Sequence, residues 1–408
     1  MSPTLDPASL YRLPWSLNDN VLAWLEPTKR CNLACVGCYS RNDPTSDKPL
    51  EVVRRDIDAI VRQRKTHSLS IAGGDPLVYP HIVELVRIVR RDYGLEPVIN
   101  TNGLALTPGL LGQLKAAGLH GITFHIDSTQ RRPHWKRDDE LSLCELRERY
   151  ARMVASVGGI TCAFNATITR DTLQHVPALV DWAQRHIDIV HNMVFILFRT
   201  TRTDDFDYFA HGAHVDMQSV VYLDQDRNPA PIRATEVVDL IRQRQPDFQP
   251  CAYLGGTKDA RSFKWLLTGR LGTADTIYGY VGPRTMELIQ TTHHALTGRY
   301  FAYAPPSALR AGRGMMAAFS PFDPSVRRAA KAYARDALAR RRAPPVHFQS
   351  ILVIQPIDMM PDGEMNMCDG CPDMTVLDGE LVWSCRLDER VEHGCFLTAA
   401  PRRQEPTA

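Results

Sequence analysis

The sequence predicts an α/β protein built on a parallel sheet and followed by a cysteine-rich C-terminal extension. Three observations predict it. Strand-like runs alternate with amphipathic stretches from about residue 20 to 200, the composition is that of an ordinary globular chain, and most of the ten cysteines fall in two clusters. With 44% hydrophobic and 23% charged residues, 408 residues carry enough apolar mass for a real core and two or three domains. The net charge of +2 argues against a protein that coats nucleic acid. No apolar run approaches the roughly 20 residues of a membrane span; the densest, Ile187 to Phe198, carries Asp188, His191 and Asn192. The first residues lack the basic and apolar regions of a signal peptide, so a cytoplasmic location is expected.

The strand candidates, in order, are Val21–Glu26, Ser68–Ala72, Pro97–Asn100, Gly121–Asp127, Ile160–Ile168 and Val190–Phe198. Between them, Val52, Val53, Ile57, Ile60 and Val61 recur at helical spacing, as do Ile82, Leu85, Val86 and Val89. Two later helices read from Leu141 to Val157 and from Leu173 to His186. Six strand–helix repeats imply parallel strands joined by right-handed crossovers, in a sheet that stays open or curls into a full or partial barrel.

The organisation expected is a lead-in over 1–20, the alternating unit over 21–200, a mixed and mainly helical substrate or accessory region over 201–345, and a metal-cluster region over 346–408. Polar and Pro-rich patches at 224–232 and 303–309 interrupt the third segment. Its clearest element starts with Asp323 as N-cap and Pro324 in the first turn, runs through Val326 to Arg342 with seven basic residues and one acidic, and stops at Pro344. A β-like run, SILVIQPI, follows.

Clustered cysteines in a reducing compartment hold metal more often than disulfides. Cys31, Cys35 and Cys38 follow the first strand. Three thiolates so close can wrap three corners of a cubane and leave the fourth iron open for chemistry. Zinc is the alternative, with His67 or another distant group as fourth ligand. Cys368, Cys371, Cys385 and Cys395 form a second set of four, enough for a closed zinc site or an iron–sulfur cluster; Cys251 is a substitute ligand. Cys144 and Cys162 stand alone, and Cys162 shares an apolar face that suits an inert core thiol.

The segment LEPTKRCNLACVGCYS resembles the cluster-binding signature of the radical S-adenosylmethionine (radical SAM) superfamily, with Tyr39 as the aromatic residue after the last cysteine. Ser70 to Pro76 (SIAGGDP) is similar to the family's glycine-rich motif ending the second strand, with Asp75 where Glu is more usual. Asn100-Thr101-Asn102-Gly103 resembles its turn after the third strand, and Phe124 to Ser128 its fourth-strand segment. Singly, GGDP and TNG are turn signals. Four such elements in register, over about residues 20 to 200, make a specific set.

The resemblance implies a partial (β/α)6 barrel whose functional residues gather at the C-terminal strand ends. It implies a [4Fe-4S] cluster on Cys31, Cys35 and Cys38, with S-adenosylmethionine met by Tyr39, Gly73, Gly74, Asp75 and Asn102. Strand alternation places Thr123, His125 and Asp127 on one face, toward a lumen, with Ile122, Phe124 and Ile126 on the other. The family often holds the cofactor with a polar residue of the fifth strand, here Asn165. His125 and Asn165 otherwise read as buried, hydrogen-bonded polar groups. Arg199, past the sixth strand, suits a carboxylate, a phosphate or the rim. In this company the second cysteine set resembles the auxiliary [4Fe-4S] extensions of the family, without the spacing of its SPASM or Twitch forms.

Reductive cleavage of the sulfonium to a 5′-deoxyadenosyl radical is the implied chemistry, with an external donor such as flavodoxin or ferredoxin. With about 20 residues ahead of the first strand, no N-terminal cobalamin-binding or peptide-recognition domain is expected. The first expectation for substrate is a small or amphiphilic biosynthetic molecule, leaning to a lipid or terpenoid. A peptide- or protein-modifying maturase is the second, and a non-catalytic iron–sulfur or zinc electron-transfer protein the third. The basic segment 326–342 reads as a solvated face, or else as a peripheral contact with an anionic membrane.

Overall fold

The computed structural model describes residues 5–133, 135, 139–199, 201–217 and 231–402. Six parallel strands lie side by side in chain order: β1 (Leu22–Thr28), β2 (Ser68–Gly73), β3 (Glu96–Thr101), β4 (Gly121–His125), β5 (Thr161–Ile168) and β6 (Asn192–Leu197). The intervening helices are α1 (Leu50–Gln63), α2 (Ile82–Arg91), α3 (Pro108–Ala117), α4 (Leu143–Val157) and α5 (Val176–Arg185). Consecutive strands that always step the same way put every crossover helix on one face. That face is the main core: Ala23, Leu25, Leu69, Ile71, Ile99, Ile122, Phe124, Phe164 and Phe195 pack against the helices. Phe124 stacks on Tyr150 of α4 at 4.7 Å and on Phe164 of β5 at 5.6 Å. The opposite face carries Trp24, Glu26, Ser70, Asn100, Thr123, His125, Asn165 and Thr167, the alternation expected of a barrel with a polar lumen. The fold is the partial α/β barrel that the strand–helix order implies.

All six strand candidates lie within two residues of the observed ends. Helix α3 has no counterpart in the periodicity read from sequence. Gly109, Gly112 and a run of alanines dilute its apolar stripe, yet Thr107 caps it by accepting from Leu110 N–H at 3.1 Å. Residues 173–175 form a 3₁₀ turn that leads into α5.

Beyond β6 the sheet continues. A strand over Trp265–Gly272, β7, pairs antiparallel with His347–Ile354, β8, and β8 lies parallel beside β6, with Ser350 opposite Asn192. On the far side of β7, Ala252–Leu254 pairs antiparallel with it and parallel with Tyr11–Arg12. The region 201–345 therefore holds helices and also strands of the main sheet. Its helices include α6 (Pro283–Thr297) and α7 (Pro324–Ala339). The expected cap Asp323 serves both: it accepts from Ser325 N–H at 2.8 Å at the start of α7 and from Gly282 N–H and Thr285 at the start of α6. Most of the polar patch at 224–232 lies outside the described residues. The C-terminal extension bridges the seam between the sheet's two ends. Cys368 bridges to Gly256, the Asn20 amide donates to Gly370 O at 3.0 Å, and a hairpin of Met374–Leu377 with Glu380–Trp383 packs by β1 and α1. The short helix α8 (Leu387–His393) follows.

Candidate active site at the C-terminal strand ends

The loop after β1 carries the first cysteine set and is fastened to the ends of β2 and β3. Gly74 N–H donates to Thr28 O at 2.9 Å, and Asp75 N–H donates to Arg30 O at 2.9 Å. A Cβ on Gly74 would stand 2.2 Å from Arg30 O, so only glycine admits this approach. Within the loop, Asn42 accepts from Cys31 N–H at 3.0 Å and returns an amide bond to Cys31 O at 3.1 Å. Gly37, between Cys35 and Cys38, has φ +71° and packs so close to the Phe198 ring that a Cβ would lie 2.3 Å from it. The Tyr39 hydroxyl donates to Gly73 O at 3.2 Å and reaches Glu26, while Trp24 Nε1 donates to Glu26 at 3.1 Å. Tyr39 thus clamps the loop to β2 and β1 instead of standing free.

Burial pushes all three thiols up, and each feels its neighbours: Cys35 senses Cys38 and Cys31, and Cys38 senses Cys31. The Asn102 amide donates to Cys31 Sγ at 3.8 Å and to Asn32 Oδ1 at 2.6 Å. Among the described residues no three His, Cys, Asp or Glu side chains converge on one point as ligands of a single ion. A cubane asks for something different, because each thiolate binds its own iron. Three half-buried thiols on one clamped loop, with an amide aimed at one sulfur, fit such a group. His67 stands at the other end of β2, against His293 at 5.3 Å, the length of a strand away from this loop.

Asp75 is a clasp within the scaffold. Its carboxylate accepts from Leu77 N–H, from the Thr101 hydroxyl and from Asn102 N–H, all at 2.8–2.9 Å, and is 1% exposed. Its oxygens are spent on joining β2 to β3. Asp127 is likewise enclosed. It accepts from His125 Nε2 at 2.7 Å, Thr129 N–H at 3.0 Å and Thr167 N–H at 2.8 Å. Burial alone would raise its pKa, but these donors outweigh it and hold the carboxylate well below its ordinary range. An ionised acceptor at that distance keeps a proton on His125 Nε2 and orients the ring. Asn165 stands directly across from His125 in the strand register.

Sequence reasoning missed the props beneath these groups. Arg147 of α4 and Glu140 form an ion pair with both side chains fully buried; Arg147 also donates to Ile126 O at 2.6 Å, and Glu140 accepts from Ser128 N–H at 2.9 Å. The pair thereby fixes the turn that carries Asp127. Cys144 packs beside it, 3.5 Å from Arg147 Nη1. Buried Arg132 reaches Asn102 O, and Cys35, Asp127 and Asp75 act on its charge. None of these residues belongs to a motif, so no local signal marks them.

Of the second set, Cys368 and Cys371 are in contact and Cys385 lies near enough to act on Cys371 electrostatically. A contact with Cys368 raises the Cys371 thiol most, then burial, with Cys385 acting as well. Burial and Cys368 raise Cys385 to about 11, against the opposing pull of Arg199. Cys395 follows α8 and is half-buried. Cys251 lies in the second core with its thiol toward Leu267 O at 3.4 Å, and Cys162 is fully buried in the first. Arg199 donates to Cys385 O at 2.8 Å and to Glu389 at 3.2 Å. On α8, Asp388 pairs with Lys29 and accepts from Arg41 N–H at 2.8 Å, and Glu392 pairs with Arg41 at 3.2 Å. The tail is therefore strapped to both flanks of the first cysteine loop.

A parallel partial barrel with a three-cysteine loop pinned across its strand ends defines a class of radical enzyme. Residues 25–197, which hold the six-stranded unit, match the sequence model of the Radical SAM superfamily. The chain is 28% identical over 168 residues to the GTP 3′,8-cyclase of Chlorobaculum tepidum, a match covering 39% of this chain and 48% of that one. It is also 28% identical over 220 residues to the AdoMet-dependent heme synthase of Methanosarcina barkeri, covering 53% and 61%. The chain thus spans about half the length of the curated relatives it matches. Among solved structures, Streptococcus suis SuiB bound to S-adenosylmethionine aligns over 46% of this chain and 42% of that one at 17% identity, with a TM-score of 0.36. The relatives matched are named as enzymes, one of them as AdoMet-dependent. Among the described residues, no helix is long and apolar enough to cross a membrane.

Proposed function

We propose that the protein functionalises an unreactive carbon of a small biosynthetic molecule, with Cys31, Cys35 and Cys38 as the cluster ligands. The observation that carries this reading is the three-cysteine loop clamped by Gly74, Asp75, Tyr39 and Asn102 beside a polar lumen. When bound, the cluster and S-adenosylmethionine supply a one-electron cleavage that yields a carbon-centred radical. The chain's own residues do the rest. The backbone at Gly73 and Gly74 and the Asn102 amide orient the cofactor, and the Asn165 amide lines the same wall. His125, its ring oriented and its Nε2 proton held by Asp127, faces the lumen. The barrel walls exclude water from the reacting groups. Electrons come from an external donor.

We assign the second set, Cys368, Cys371 and Cys385 with Cys395 as a fourth candidate, to an auxiliary [4Fe-4S] cluster; the contact of Cys368 with Cys371 and the nearness of Cys385 support this. The relatives named for GTP and for heme favour a small molecule. A finer lean to an amphiphilic substrate rests on α7, where Leu338 is 79% exposed among arginines with Phe322 just before the helix.

Anaerobic reconstitution tests the proposal. About eight irons in the native sequence and about four in the variant lacking Cys31, Cys35 and Cys38 are expected, together with 5′-deoxyadenosine formation on reduction in the first protein alone. Full iron content and activity in Cys31→Ala would overturn the ligand assignment.

A further inference from the structure

Arg64 follows α1, its N–H donating to Ile60 O at 2.8 Å to close the helix. Its side chain is 1% exposed. Nη2 donates to the carbonyl of Cys371, but Nε and Nη1 have no hydrogen-bond partner among the described residues. A buried guanidinium that leaves two nitrogens unsatisfied pays a heavy desolvation penalty, and buried donors are almost always paired. Burial has pulled its pKa down to about 10, with Cys371 and Asp373 as the groups that oppose the fall. Asp373 is no substitute partner. Among the described residues no hydrogen bond or ion pair joins it to Arg64, and burial pushes its carboxyl up to about 7. The cation therefore sits beside Cys371, and Cys371 is in contact with Cys368 and near Cys385. Unsatisfied donors on a buried cation next to three thiols define the sign and the chemistry of what belongs there: an anion with sulfur acceptors.

We propose that Arg64 is the counter-cation of the anionic metal–sulfur group held by Cys368, Cys371 and Cys385, with its Nε–H and Nη1–H donating to that group's sulfur atoms. The inference rests on reading this set as iron–sulfur ligands and goes beyond it by naming the residue that sets the group's charge balance. A thiolate-ligated cluster is anionic and gains a further negative charge on reduction, so a fixed cation in a dry site stabilises the reduced form more. Arg64 acts through the cluster, as a positioning and tuning residue.

The test uses the full chain lacking Cys31, Cys35 and Cys38, reconstituted anaerobically so that the C-terminal group alone is read, and compares it with the same protein carrying Arg64→Gln or Arg64→Lys. Iron and sulfide content and an EPR-monitored redox titration are the readouts. Arg64→Gln should keep its iron while the reduced-to-oxidised ratio at the parent's midpoint falls at least tenfold, about 59 mV for one electron. Arg64→Lys, which retains the charge, should recover most of the shift. Iron lost from Arg64→Gln but kept by Arg64→Lys would support the proposal equally. An unchanged midpoint in fully loaded Arg64→Gln would overturn it, as would equal loss of iron from both variants, which would make Arg64 a packing residue. A parent that binds no iron would overturn it through the reading beneath it, and would be distinguished by that count.

Discussion

His191 makes the fold's stability depend on acid in a way that can be measured at one residue. It precedes β6 at the N-terminal end of the barrel and is 6% exposed. Its Nδ1 accepts the N–H of Cys162 at 3.0 Å, while Nε2 is buried without a hydrogen-bond partner among the described residues. Protonation would put a charge in that site and turn an acceptor toward a donor. Burial, then Arg310 and His347, lower its pKa from 6.5 to about 4. The folded pKa lies below the unfolded one. Above pH 6.5 neither state binds the proton and the residue is silent. As pH falls from 6.5 toward 4 the unfolded chain takes up a proton that the folded chain refuses, and stability is lost. At about 1.4 kcal/mol per tenfold in proton activity, the loss reaches about 2 kcal/mol by pH 5. Urea unfolding at pH 7.5, 6.5, 5.5 and 5.0 should show the native protein losing that much more than His191→Gln, whose amide oxygen can still accept from Cys162. His67, lowered to about 4 by burial and then by His293, adds acid sensitivity to both proteins and cancels in the difference. Parallel stability curves for the two proteins between pH 6.5 and 5 would refute the reasoning.

Three further outcomes are expected. Gly74→Ala should unseat the first cysteine loop, because its methyl would sit 2.2 Å from Arg30 O; iron content should fall by about half and 5′-deoxyadenosine formation should vanish, with far-UV circular dichroism unchanged. Arg147→Met leaves the Glu140 carboxyl fully buried without its ion partner and should cost about 3–5 kcal/mol in urea unfolding. A loss under about 1 kcal/mol there would mean that the pair is not a prop of the Asp127 turn. Asp127→Asn removes the charged acceptor of His125 Nε2, Thr129 N–H and Thr167 N–H and should slow reductive S-adenosylmethionine cleavage with iron content unchanged.

Much of the barrel was legible because a parallel strand and its crossover helix write their own periods locally. The four motifs were legible because strand ends concentrate glycine, cysteine and turn residues. What escaped depends on distant partners. SILVIQPI reads as a strand, but nothing local says that Ser350 will lie beside Asn192. Trp265–Gly272 sits in a region whose proline and polar patches suggest helices and loops, and it becomes a central strand only by pairing with both 252–254 and 347–354. At the site, Asn102 and Tyr39 were named for the cofactor; in the structure Asn102 also contacts the cysteine loop, and Tyr39 ties that loop to β2. Asp75 was named for its carboxylate, which the scaffold consumes. Arg64, Arg132, Arg147 and Glu140 look like ordinary helix or loop charges until the fold closes over them.

The strap from α8 to the first cysteine loop also bears on the order in which the molecule is assembled. Asp388, three residues after Cys385, bonds Lys29 on one flank of Cys31 to Cys38 and Arg41 on the other. The signature motif leaves the ribosome well before Asp388, which lies 347 residues beyond Arg41, so its final shape waits for residues made later. A nascent or truncated chain that stops short of Asp388 carries the whole motif and an unfinished site, so loading of iron into the first loop should follow completion of the tail.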